Sequence, residues 1–75
     1  MSDEVAPHEL RVMQEKQALD VLRAKLYTFI TDEPAMRLFS VTTAEKARLR
    51  RQWTIMGLYS GVLGERLEAV GIKAP

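Results

Sequence analysis

The stretch from Thr42 to Val70 constrains the fold most, because it can form a single helix with a start signal and a stop signal. The opening segment, Thr42 to Glu45, fits a capping box: a threonine oxygen accepts from the backbone N–H three residues on, and the glutamate reaches back to the cap. Gly71 and Ile72 fit the matching end, with glycine in the left-handed conformation and an apolar residue beyond it. No proline interrupts the stretch, so the sequence predicts one rod about 43 Å long.

This helix has more apolar surface than one partner helix can cover. One stripe at helical spacing is predicted to form the seam with another helix of the same chain. A second apolar set lies beside it, and the combined arc exceeds roughly 200°, where about 100° serves a helix that packs on one neighbour. The excess predicts contacts outside the hairpin. The seam set is Leu49, Met56, Leu63, Leu67 and Val70, and the second set is Ile55, Leu58, Tyr59 and Val62.

The rest of the chain predicts a partner for this rod. Apolar residues at helical spacing between about His8 and Ile30 form one stripe, which predicts a first long helix. Thr31 or Asp32 then caps a short helix over about 34–39, and the two long helices fold back as an antiparallel hairpin. We expect residues 1–7 to be a flexible tail and residues 8–75 to be one all-α domain. The stripe consists of Val12, Leu19, Leu22, Leu26, Phe29 and Ile30.

Length and composition favour an oligomer and argue against several function classes. A chain of 75 residues buries only about 60–65% of its unfolded surface, so its own core is marginal. It has no cysteine, and its only histidine is His8, so we do not expect disulfides or a zinc site to stabilise the fold. The net charge of +1 argues against a general duplex-binding protein. With neither a signal segment nor a run of 18 apolar residues, we expect a cytoplasmic protein that does not enter a membrane.

Gly57, Gly61 and Gly64 recur along the long helix, where each destabilises a helix interior by roughly 1 kcal/mol relative to alanine. Such positions allow another helix or a flat ligand to approach closely. They therefore predict either tight helix packing or a cleft floor with Trp53 and Tyr59 as stacking surfaces. In an oligomer with clefts between subunits, both interpretations hold.

Four basic residues near the start of this helix, Lys46, Arg48, Arg50 and Arg51, allow two interpretations. They form either a solvated turn or a phosphate site. The phosphate site is possible because guanidinium groups donate bidentate hydrogen bonds to phosphate oxygens and the N-terminus of a helix attracts anions. Catalysis has little support, because the sequence has no cysteine nucleophile, no phosphate-binding glycine loop and no paired-histidine motif. We expect no enzyme activity, no metal and no cofactor.

The chain resembles the small phage proteins that act as anti-CBASS cyclic-oligonucleotide sponges, which bind second messengers of a bacterial antiphage system. The likeness lies in one block on each long helix, and the blocks span about three-quarters of the chain. The first block is Arg11, Val12, Glu15, Lys16, Leu19, Leu22, Lys25, Leu26, Phe29 and Ile30, and the second is Gln52, Met56, Tyr59, Leu63, Arg66 and Leu67.

The resemblance implies an all-helical subunit, a compact homohexamer and messenger pockets between subunits, with no reaction performed. The family's dinucleotide pocket uses an aromatic residue after the first-block glutamate, where this chain has Lys16. It also uses a lysine and a threonine beyond the Phe-Ile pair, where only Thr31 is present. A second pocket, for cyclic trinucleotides, relies on basic residues, and Arg66 is the best candidate for it.

The candidate ligand residues, for phosphate or base, are therefore Lys16, Thr31, Arg51, Trp53, Tyr59 and Arg66. The candidate oligomer interface is Ile55, Leu58, Val62, Gly57, Gly61 and Gly64. The main alternative is a helical interaction module, an adaptor or inhibitor that docks Ile55, Leu58 and Val62 on a host protein. A weaker alternative is a nucleic-acid regulator that uses the basic run. If the protein is phage-encoded, its place is the host cytoplasm.

Overall fold

The computed structural model describes residues 6–72. Within that range the chain forms three helices: α1 (Pro7–Ile30), α2 (Glu33–Leu38) and α3 (Thr43–Ala69). The two long helices are antiparallel, because Asp20 on α1 contacts Ser60 on α3, whereas Arg23, later on α1, contacts Trp53, earlier on α3. The predicted all-α hairpin with a short connecting helix is confirmed for the single subunit.

The helix starts agree with the sequence signals to within a residue. Thr42 caps α3 by accepting from the Glu45 amide at 3.0 Å, but the Glu45 carboxylate does not reach back and instead accepts from Arg48 Nε at 2.8 Å. Helix α1 begins at Pro7, one residue earlier than expected, because proline suits a first helical turn. Of the predicted tail 1–7, residues 1–5 lie outside the described range.

The connection uses both residues that were predicted as caps, in different roles. Asp32 caps α2 by accepting from the Ala35 amide at 3.1 Å, whereas Thr31 ends α1. At the far end of α3, Ile72 N–H donates to the Leu67 carbonyl and Gly71 N–H to the Glu68 carbonyl, with Gly71 at φ +82°. These hydrogen bonds form a Schellman motif, so the predicted C-terminal cap with a left-handed glycine is confirmed.

Few apolar side chains are buried in the seam. Among the described residues, Met36, Leu63 and Leu67 are the hydrophobic side chains that the subunit fully covers. Leu22 and Val70 were predicted in the seam, and this was wrong, because they are 56% and 52% exposed. Val70 is the C-cap residue of α3, beyond its last turn, and Leu22 lies on the outward side of α1.

The subunit is a rod rather than a globule. Its extents are 56 × 16 × 15 Å and its radius of gyration is 16.2 Å, against about 11 Å for a compact domain of this length. A two-helix rod has no second layer, so one side of each long helix stays in contact with solvent. The apolar surface predicted to lie outside the hairpin does so, since Ile55, Leu58 and Val62 are exposed.

Ser40 is a backbone position where the chain can be stabilised. It follows α2 at φ +52°, a left-handed conformation that costs a residue with a side chain roughly 1–2 kcal/mol. Ser40→Gly removes that strain, and part of the gain is offset by the greater freedom of glycine in the unfolded chain. We expect about 0.5–1 kcal/mol of added stability in urea unfolding at fixed protein concentration. The matched control, Gly71→Ser, should destabilise by a similar amount, and a destabilised Ser40→Gly would contradict this account.

Candidate functional site

A polar cluster lies in the middle of the seam between α1 and α3. Lys16 is only 9% exposed, and its Nζ donates to Asp20 Oδ2 at 2.8 Å. Ser60, also buried, donates its hydroxyl to the other carboxylate oxygen of Asp20 across the seam. Among residues 6–72, every buried side-chain nitrogen and oxygen has a hydrogen-bond partner. The cluster is thus satisfied within one subunit.

These hydrogen bonds also set the protonation of the cluster. The hydrogen bond from Lys16, followed by that from Ser60, lowers the pKa of the Asp20 carboxyl below its ordinary value of 3.8, against the opposing effect of burial. The carboxylate is therefore charged at neutral pH and compensates the buried ammonium group of Lys16.

A cation and two aromatic rings form a second cluster, one or two turns further along α1. The guanidinium carbon of Arg23 lies 3.9 Å from the centroid of the Trp53 ring, and Arg23 Nε donates to the Trp53 carbonyl at 3.1 Å. Tyr27 follows one turn later, with its ring centroid 5.7 Å from that of Trp53. A Cβ at Gly57 would lie 2.5 Å from Arg23 Nη2. Gly57 therefore makes room for the guanidinium group of Arg23.

A third contact joins the two helices nearer the chain ends. The Tyr59 hydroxyl donates to the Glu15 carboxylate, and both residues are exposed. This hydrogen bond raises the pKa of the Tyr59 hydroxyl above its ordinary value of 10.0, while the nearby positive charge of Arg66 acts in the opposite direction. The charge of Arg66 thus acts on the Tyr59 hydroxyl, and both residues are exposed on the outside of the hairpin.

An open cleft of about 300 Å³ lies beyond this pair, between the first turns of α1 and the last turns of α3. Its polar rim includes His8, Glu9 and Arg66, and its apolar lining includes Val12 and Leu67. Arg66 makes no ion pair within the described residues. The cleft combines an apolar lining with a cation that is not held in an ion pair.

The six candidate ligand residues do not converge in one subunit. Arg51 and Arg66 are separated by about 22 Å along α3. Lys16 is neutralised by Asp20, and the Thr31 hydroxyl donates to the Tyr27 carbonyl at 2.7 Å. The Trp53 ring is covered on one face by Arg23. Tyr59 and Arg66 remain together, and Arg51 stays exposed.

The candidate interface residues also divide into two groups. Gly57 and Gly64 lie in the seam, the former against Arg23 and the latter buried. With Ser60 they form one stripe of small residues at spacings of three and four. Gly61 is exposed and a Cβ there would meet nothing within 4 Å. The predicted interface role of Gly57 and Gly64 is therefore wrong, because both lie in the seam, whereas Gly61, about 40° around the helix from Gly57, is outside it.

The basic run is partly compensated. Arg48 pairs with Glu45 at 2.8 Å and Lys46 with Glu33 at 3.8 Å. Arg50 and Arg51 make no ion pair within residues 6–72 and are exposed. This arrangement resembles a solvated helix start more than a closed phosphate site.

The sequence interpretation missed Asp20, Arg23 and Tyr27. Lys16 and Arg23 are seven residues apart, and both point toward α3, which is why Leu22 turns outward. A usable signal was present: small residues at 57, 60 and 64 leave room on α3 for long polar side chains from the facing helix. Apolar periodicity alone cannot detect a seam built from such side chains.

The fold and these surfaces define a class of protein: a small helical hairpin with a satisfied polar seam and exposed apolar faces. The family model of Sequestin matches residues 6–69, and the chain belongs to the Sequestin family. No curated protein and no solved structure matches the chain. No helix of residues 6–72 is long and apolar enough to cross a membrane. The same residues contain no group of three His, Cys, Asp or Glu side chains that could hold a metal ion.

Asp20→Asn tests the polar seam. The substitution removes the charge that compensates Lys16, which is buried. Because the Asp20 side chain is 39% exposed, we expect a loss of about 1–2 kcal/mol, less than the roughly 3–5 kcal/mol of a fully buried pair. In urea unfolding at fixed protein concentration, Lys16→Met combined with Asp20→Asn should be closer to the wild type than Asp20→Asn alone.

The pH dependence of the unfolding free energy tests whether the charge of the Asp20 carboxylate causes the loss of stability in Asp20→Asn. Because folding lowers the pKa of Asp20, its contribution to stability is present above pH 3.8 and is lost as the pH falls through the folded pKa. The difference in unfolding free energy between wild type and Asp20→Asn should therefore shrink in that acidic range. A difference that is absent at pH 7, or that grows on acidification, would contradict the assignment.

Proposed function

We propose that this protein binds and sequesters a cyclic oligonucleotide second messenger, stoichiometrically and without catalysis, as a homo-oligomer. The observation that carries the proposal is membership of the Sequestin family over residues 6–69, a family whose name denotes sequestration. The similarity of the two helical blocks to phage anti-CBASS sponges supplies the ligand class. In this proposal the protein acts in the cytoplasm of a phage-infected bacterium, where it keeps the messenger from its effector.

Two exposed faces support assembly. On α3, Ile55, Leu58 and Val62 form an exposed apolar face, and the exposed Gly61 lies at its edge, about 60° around the helix from Leu58. On α1, Val21 and Leu22 lie with Ala18 and two glutamines around an open surface that no charged side chain lines. Depletion of charge and enrichment of apolar side chains are typical of the buried centre of an interface. A subunit that buries both faces needs neighbours to cover them, which supports an oligomer; the resemblance to the sponge proteins adds that this oligomer is a hexamer.

The ligand chemistry is best supported around Tyr59 and Arg66. Arg66 forms no ion pair with a described acidic side chain, and guanidinium groups bind phosphate oxygens in forked geometry. The exposed Tyr59 ring offers a stacking surface for a base. Both lie outside the hairpin, so a neighbouring subunit completes the pocket in this proposal. The pairing of Lys16 with Asp20 favours the trinucleotide type of pocket over the dinucleotide type.

Thermal-shift measurements against cyclic di- and trinucleotides test the proposal, with linear counterparts as controls. Ligand at 100 times its dissociation constant stabilises the folded state by about 2.7 kcal/mol, which should appear as a clear rise in the midpoint. Arg66→Gln should weaken binding by about 10- to 100-fold, since a hydrogen bond to a charged group contributes roughly 1.5–3 kcal/mol.

Arg48→Gln is the matched control. It removes the same charge from the same helix, but Arg48 is paired with Glu45, so binding should be unchanged. Ligand released from the complex by denaturation should be chemically intact in chromatography, since no reaction is proposed. Folded protein that no cyclic oligonucleotide stabilises would rule the proposal out, and a cleaved ligand would rule out the non-catalytic part.

A second candidate function is a helical interaction module that docks on a host protein. The observation in its favour is the exposure of Leu58, at 68% one of the most exposed large hydrophobic residues described. This candidate requires a monomer or dimer with that face free in solution. A closed higher oligomer in light scattering would contradict it.

A further inference from the structure

An acidic side chain lies at the edge of the tyrosine ring on which the proposed function stacks a base. The carboxylate of Glu15 accepts from the Tyr59 hydroxyl through its Oε2 atom, so it is fixed at the hydroxyl end of that ring. Its other oxygen, Oε1, has no hydrogen-bond or ion-pair partner among residues 6–72. Tyr59 is 44% exposed, and Glu15 is exposed as well. A carboxylate repels phosphate, so Glu15 does not serve the anionic part of a nucleotide.

Two arginines lie on one side of this carboxylate along the hairpin. Arg66 is seven residues after Tyr59 on α3, about 10 Å further along the helix and on nearly the same face. Arg11 is four residues before Glu15 on α1, about 6 Å away. Because the helices are antiparallel, both arginines lie toward the first turns of α1 and the last turns of α3. Both are exposed and make no ion pair within the described residues, so this surface is acidic at one end and basic at the other.

A nucleotide has the complementary separation of charge and hydrogen-bonding groups. Its phosphates are anionic and bind guanidinium groups, whereas the edge of adenine or guanine carries an amino group that donates hydrogen bonds. An ionised carboxylate only accepts them. Complementary charges fix the orientation of a bound partner. The phosphates of a bound nucleotide therefore point toward the arginines, and the edge of its base points toward Glu15.

We propose that Glu15 determines which base the site accepts: with the base stacked on Tyr59, the free Oε1 of Glu15 accepts a hydrogen bond from the exocyclic amino group of a purine. Adenine and guanine carry such a group and hypoxanthine has none. A site built to hydrogen-bond an N–H group rejects the analogue that lacks it, because its polar atom is then left unpaired. The inference rests on the proposed function and names the ligand class of the same site, a cyclic oligonucleotide with an amino-bearing purine.

Isothermal titration of the full chain with cyclic di- and trinucleotides of adenine, guanine or hypoxanthine tests the proposal. The wild type should bind the adenine or the guanine ligand about 10- to 100-fold more tightly than the hypoxanthine ligand of the same ring size, as expected for a hydrogen bond to a charged group. The tighter of the two amino-bearing ligands identifies the purine. In Glu15→Gln the ratio should fall to about fivefold or less, because an uncharged acceptor is weaker and the new amide group can donate to the hypoxanthine carbonyl.

Glu65→Gln is the matched control, because it removes the same charge from another exposed glutamate without an ion pair among the described residues. It should keep the wild-type ratio. Urea unfolding should show that Glu15→Gln is folded, since its amide oxygen still accepts from the Tyr59 hydroxyl. Equal binding of the hypoxanthine ligand by the wild type, or a ratio that Glu15→Gln leaves unchanged, would overturn this inference and leave the proposed sequestration intact. Folded protein that binds none of the ligands would overturn both.

Discussion

The structure depends on one constraint: a two-helix rod has no second layer to cover its apolar surface. Fully burying a large apolar side chain contributes about 1.5–3 kcal/mol, and the described subunit fully buries only Met36, Leu63 and Leu67 among its hydrophobic residues. Ordering each residue opposes folding by roughly 1–2 kcal/mol. We therefore propose that the remaining apolar stabilisation comes from surfaces that the subunit leaves exposed, so that assembly is a condition of stability as well as a feature of the proposed function.

The polar seam explains how the hairpin selects one arrangement despite this small core. The hydrogen bond from Ser60 to Asp20 crosses the seam and forms only when α1 and α3 are in one register and one rotation, whereas Lys16 pairs with Asp20 within α1. Arg23 adds a second fixed point by lying on Gly57 and over Trp53. Polar groups in a seam are costly when unpaired, so shifted registers are disfavoured. The same rotation turns Leu22 outward and thereby creates the apolar face of α1.

The sequence predicted the elements of the fold better than the seam between them. Local signals such as Thr42 at the start of α3 and Gly71 at its end depend on neighbouring residues, and they were confirmed. The rotation of α1 depends on which long polar side chains fit against small residues on α3, a tertiary property without periodicity. For the same reason, Trp53 was predicted as a free stacking surface, although Arg23 covers one of its faces. The role of Tyr59 and Arg66 in ligand binding remains a prediction, because in the proposal a neighbouring subunit completes that site.

Sedimentation equilibrium combined with thermal unfolding over a hundredfold range of protein concentration tests the central claim most directly. If exposed faces complete the core, the wild-type chain should sediment as one closed oligomer, and its unfolding midpoint should rise with concentration, because only the folded state associates. A monomer that unfolds cooperatively at a midpoint independent of concentration would contradict the account, since the subunit alone would then suffice for stability.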